Sequence, residues 1–183
     1  MARVPELDPK TITDAQRQVM QEIVSGPHGR IVGPYHAWLH SPELARRGRN
    51  LSEYLRFKGI LPKRLMELGI LVAGRYWKAE FEYWAHARLA KEAGLDEAVI
   101  AAIARRQKPE FKNADENLVY SLCTELLETR RITEPTYRKA VDTLGLQGVV
   151  ELIATTGWYC MVSLTLNAFE IGLPPGEQSP FPD

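Results

Sequence analysis

The run LIATTGWYCMVSLTLNAF, residues 152–169, separates Glu151 from Glu170 with 18 uncharged positions. About eighteen residues is the lower edge of what a helix needs to cross a bilayer. Thr155, Thr156, Ser163, Thr165 and Asn167 break the run with polar groups, and no basic flank fixes an orientation. The stretch therefore reads as a buried core helix of a protein with no membrane partner. As the longest apolar element, the segment 149–170 is the expected centre of the fold.

Outward from that run the pattern is helical throughout. Thr13 or Asp14 caps a helix to about Ser25, with Ala15, Val19 and Ile23 as its apolar stripe. SGPHGRIVGPYHAWLHSP, residues 25–42, holds three glycines and three prolines, and so long a loop in a compact domain is often functional. Ser41 and Pro42 start a helix through Leu44, Leu51, Tyr54 and Leu55 to about Lys58. Pro62 opens PKRLMELGILVAGRYW, with Leu65, Leu68, Leu71 and Val72 buried and Gly74 as its weak point. A further helix spans about Lys78 to Ala93 before Gly94. Asp96, Asp115 and Thr133 open three more, and Gly145 and Gly148 break the chain before the apolar run. No pair of period-two runs flanks a hairpin signal. The expected class is all-α, one domain over 1–183, with six to eight helices and tails at 1–10 and 177–183.

Composition narrows the function. With 183 residues, 45% hydrophobic and 25% charged, the chain has the balance of a soluble globular protein. Lys plus Arg is 23 and Asp plus Glu is 23, which argues against a general nucleic-acid binder. MARVPELDPK has no apolar signal region, so the expected compartment is the cytoplasm. Cys123 and Cys160 form no CxxC and have no histidine nearby, so both read as buried free thiols. Residues 1–92 carry +5 and residues 93–183 carry −5. The basic run Arg46, Arg47, Arg49, Arg56, Lys58, Lys63 and Arg64 is a solvated face, a field for anionic substrates, or an interface with the acidic half of a neighbour.

The chemistry-bearing cluster is RYWKAEFEYWAHA, residues 75–87. Glu82 and His86 are an i,i+4 pair, so the carboxylate can hold the histidine's tautomer and the histidine can move protons. A surface ion pair satisfies the same spacing. Tyr76, Trp77, Phe81, Tyr83 and Trp84 crowd the pair, and desolvation there would raise a carboxyl pKa. Arg75 can grip a substrate carboxylate as a fork, or make an ordinary ion pair. His28 reads as surface. His36 and His40 lack metal-ligand spacing, and His36, beside Tyr35 and near Trp38, is a candidate pocket rim. No metal site and no cofactor motif is expected.

These residues resemble the carboxymuconolactone decarboxylase superfamily, which shares the fold of alkyl hydroperoxidase D. Its peroxidase branch carries a Glu, eleven residues, CxxC, three residues and a His, a pattern that falls here on Glu67, Ala79, Glu82 and His86. Both cysteines are absent. LPKRLMELGILVAGRYWKAEFEYWAH, ARLAKEAGL, LCTELLETRRIT and LGLQGVVELIATTGWYCMVSLTLNAFEIGLPPG resemble the decarboxylase-like branch, and the likeness spans about residues 28–177. The resemblance implies an alkyl hydroperoxidase D-like helical bundle that forms a homo-oligomer, a trimer or hexamer. It implies a cofactor-free acid/base enzyme acting on a small carboxylated lactone of aromatic catabolism. The alternative it leaves is a peroxidase-branch relative without dithiol chemistry, a small-acid binding or stress-linked protein. The resemblance adds Glu67 to the Glu82–His86 pair, so the candidate catalytic set is Glu67, Glu82 and His86, with Arg75, Trp77, Tyr83 and His36 expected against the substrate. Thiol peroxidase activity is not expected, because Ala79 offers no nucleophile. Glu67 and His86 are 19 residues apart, about 100° out of phase on one helix, so they meet only if the chain bends between them. Gly74 is the expected bend.

Overall fold

The computed structural model describes residues 2–27 and 29–182, so His28 lies outside it. Eight helices and no strand occur among the described residues. They are α1 (Asp14–Ser25), α2 (Tyr35–Trp38), α3 (Pro42–Phe57), α4 (Lys63–Tyr76), α5 (Glu80–Glu92), α6 (Glu97–Ala104), α7 (Ala114–Thr129) and α8 (Glu134–Ala168).

The centre of the bundle is α4, not the apolar run that the sequence singles out. Every residue from Leu65 to Arg75 is buried, and α5, α6, α7 and α8 pack around it. A helix enclosed on all sides has no face to spare for solvent. By contrast, α8 keeps an outer face. It is long and apolar enough to cross a membrane by length and composition, yet 12 of its residues are buried in the protein and Leu146, Val150, Ile153 and Leu164 are exposed. Gly145, at φ 70, breaks the helical path of α8, as its position before the run suggests; Gly148 stays helical.

Two expected stripes shift. In α1, Thr13 and Gln16 form a reciprocal capping box, and Val19 and Ile23 are buried, but Ala15 is exposed. In α3, Leu44, Leu51 and Tyr54 face out, and Ala45, Gly48, Ser52 and Leu55 face in. The cause is the bulk opposite. Trp38 of α2 and Trp158 of α8 meet at 5.3 Å with their rings tilted, and a Cβ on Gly48 would stand 2.9 Å from Trp158 Cη2. Only small residues fit against that pair of indoles. The 25–42 loop is itself partly helical, because Pro34 precedes the first turn of α2, where its missing N–H costs nothing.

The basic run is mostly paired within the chain. Arg46 and Arg47 pair with Glu43, Arg46 also with Glu22, and Arg49 with Glu53. Arg64 ties the start of α4 to Asp115 and buried Glu116 at the start of α7. The tail does not wave free. Phe181 packs on Tyr83, Ser179 donates to Glu80 at 2.6 Å, and the Trp84 indole donates to Glu177 at 2.9 Å.

Candidate functional site

The bend that brings Glu67 to His86 is at Lys78, not Gly74. Trp77 ends α4, Lys78 takes a left-handed φ of 51, and Ala79 N-caps α5. The Ala79 amide donates to the Gly74 carbonyl at 2.9 Å, and the Asn167 side-chain amide of α8 donates to the Trp77 carbonyl at 2.7 Å. Gly74 stays inside α4, set against Glu82 and Tyr83 of α5. The helix therefore runs unbroken past its glycine, since neighbours on every side hold it.

This reversal stacks α5 on α4 and encloses three ionisable groups. His86 Nδ1 lies 2.6 Å from Glu67 Oε2, and Nε2 lies 2.9 Å from Glu82 Oε1. The second approach is poorly aligned, so Glu82 Oε1 has no hydrogen bond; Glu67 Oε1 also has none. Glu67 is fully buried, and Glu82 and His86 are nearly so. Burial by itself lowers the His86 pKa, but Glu67 and Glu82 outweigh it and lift the value to about 9. The two neighbours thus favour the charged form of the ring that lies between them. His86 stands between them, so the three do not converge on a single point as metal ligands would.

A fourth group comes from α8. The Tyr159 ring meets His86 edge-on at 4.9 Å. Burial pushes its phenol well up; Arg56 offsets part of that, and Glu82 and Glu67 add to it. Sequence reasoning missed Tyr159 because it counts as one more apolar residue in the 152–169 run. Its hydroxyl was the available signal.

The other expected site residues stand elsewhere. Tyr83 spends its hydroxyl on the Ile100 carbonyl at 2.6 Å and packs in the core. Trp77 is half-buried and stacks edge-on with Tyr76. His36 is exposed on α2 and does not join the cluster, because α2 turns Tyr35 and Trp38 inward instead. Arg75 sits eight residues beyond Glu67, about 12 Å along the helix. Its Nε donates to the Ala104 carbonyl at 2.7 Å and its guanidinium lies over Phe181 at 4.4 Å. Two cavities border Arg75, one of about 520 Å³ under the tail and one of about 360 Å³ between α4, α6 and α7. Neither is lined by Glu67, Glu82 or His86.

The thiols are poorly suited to redox chemistry. Burial lifts Cys123 to about 12, and Thr156 offsets only part of this. Cys160 is half-buried rather than buried as expected, and what burial it has still raises its thiol, against a smaller opposite effect of Trp77. Ala79, at the first cysteine position of the peroxidase pattern, is buried at the N-cap of α5.

Among solved structures the chain is similar to the alkylhydroperoxidase AhpD core of an uncharacterized peroxidase-related protein from Ralstonia eutropha JMP134. The TM-score is 0.77 at 14% identity, over 95% of this chain and 93% of that one. The fold is therefore AhpD-like. No protein-family model and no curated protein matches the sequence.

Proposed function

We propose that Glu67, His86 and Glu82 form the acid/base centre of a cofactor-free enzyme related to carboxymuconolactone decarboxylase, acting on a small carboxylated lactone in the cytoplasm. The observation that carries this reading is a buried imidazole enclosed by two carboxyl groups, 2.6 and 2.9 Å away. In such a reaction the substrate C–CO₂ bond breaks, and its electron pair stays on carbon as a delocalised carbanion. The carbanion takes a proton from the His86 imidazolium, and solvent returns one to the ring. Glu67 holds the ring in place and sustains its charge. Glu82, on the other nitrogen, relays the returning proton. The test is a panel of unsaturated lactone acids and β-keto acids, followed by release of CO₂ and a shift of the ultraviolet band. Turnover that disappears in His86→Gln supports the reading; no turnover across the panel overturns it.

A second reading is favoured by one observation: neither cavity is lined by the Glu67–His86–Glu82 set. It is a non-catalytic relative of the peroxidase branch that binds a small acid, in line with the peroxidase-related name of its structural neighbour. Saturable binding without CO₂ release is the outcome that selects it.

A further inference from the structure

We propose that the cavity between α4, α6 and α7 is a binding site for a small amphipathic carboxylate, held by Arg75 and Arg106 and separate from the Glu67–His86–Glu82 set. The fold leaves one buried charge uncompensated. Arg75 is 9% exposed, and no carboxylate lies within ion-pair distance of it among the described residues. Its Nη1 is buried and has no hydrogen-bond partner. A buried cation without a counter-ion is costly, and an anion supplied from solution removes that cost. Burial and the like charge of Arg106 both press the Arg75 pKa down, the expected signature of a positive site missing its anion.

The shape of the guanidinium supports the same conclusion. Phe181 covers one face and the Ala104 carbonyl takes Nε, which leaves edge N–H groups for a planar acceptor. Arg106 lines the same cavity, exposed and without an ion-pair partner among the described residues. Tyr120 and Thr124 bring hydroxyls, and Val72, Ile103 and Leu127 bring apolar wall. Glu128 is the one acid at the lining, so the cavity carries a net positive charge. At about 360 Å³ it is at the small end of ligand pockets, about 300–1,000 Å³. A bare inorganic anion would leave the apolar wall unused, so an acid with an apolar body fits better. The larger cavity under the tail is a poorer candidate, because Glu80 and Glu170 offset its Arg75 and Lys78.

The experiment is calorimetric titration of the full chain with phenylacetate, phenylacetamide and inorganic phosphate. Phenylacetate is expected to bind, with the amide at least about tenfold weaker, the scale of one charge-assisted hydrogen bond. Arg106→Ala, at an exposed position, is expected to weaken phenylacetate by about tenfold or more. Leu127→Trp should abolish binding by filling the cavity. His86→Gln should leave binding unchanged, which separates this site from the proposed acid/base centre. Equal affinity for acid and amide, phosphate binding without phenylacetate binding, or an unchanged Arg106→Ala would each overturn the proposal.

Discussion

Glu67 and His86, on different helices and 19 positions apart, meet at 2.6 Å inside the protein. The contact exists because Lys78 turns the chain back within three residues, and α8 then closes over the pair with Tyr159. The pair enclosed in this way makes folding stability depend on pH. His86 is raised from 6.5 to about 9, so its contribution to stability is fully present below about pH 6.5 and is lost as pH rises through 9. Folding stability should fall across that window, with a slope approaching about 1.4 kcal/mol per pH unit for one proton. Urea titrations at pH 6, 7.5 and 9 measure it, and His86→Gln should flatten the slope.

Glu82→Gln should lower the His86 pKa and keep the fold, since Glu82 touches the ring from the same helix. If the chain is the proposed enzyme, turnover should drop by about tenfold to a hundredfold, a usual cost of weakening an acid/base group. Histidine ring NMR shifts against pH read the pKa directly. An unmoved midpoint would mean that Glu82 does not sustain the charge.

Peroxide chemistry through sulfur should be absent. Cys123 at about 12 holds essentially no thiolate at neutral pH. Iodoacetamide should leave Cys123 unmodified in the folded protein and label it after denaturation, as peptide mass spectrometry would show.

Gly48→Ala should destabilise by about 1–3 kcal/mol, the usual cost of overpacking a filled interior. The new methyl would meet Trp158 at 2.9 Å, and Trp158 has Trp38 behind it. Thermal unfolding reads the loss, and Gly157→Ala, where a Cβ meets nothing within 4 Å, is the control.

We propose a homo-oligomer, a trimer or hexamer, through outer faces of α3 and α8. Leu44, Leu51, Phe57, Ile60, Leu146 and Val150 are all exposed, apolar side chains that contact between copies would cover. Light scattering should give a multiple of 20.7 kDa, and Leu146→Glu with Val150→Glu should reduce it.

Much of this was legible in the sequence, and the failures share a cause. The all-α class and the order of helices follow from 3.6-residue periodicity and from caps such as Thr13 and Asp96, which act locally. The encounter of Glu82 with His86 is also local, one turn of helix. What escaped depends on packing partners far along the chain. Ala45 and Gly48 face inward because two tryptophans lie opposite, so the bulkier Leu44 and Leu51 are turned out. Gly74 remains helical because α5 rests against it. Tyr159 looks like core until α8 is laid beside α5. Glu67 entered through a resemblance, since a lone Glu in RLMELGIL has no chemical signal of its own.

The tight joint at Lys78 has one more consequence. Glu67, Glu82 and His86 fall within 20 consecutive residues, on one helical hairpin. The Glu67–Glu82–His86 set is therefore a cassette, encoded in a single short stretch, to which the surrounding helices add one ring, Tyr159 of α8. The set can thus be exchanged as one stretch of sequence, without changes spread along the chain.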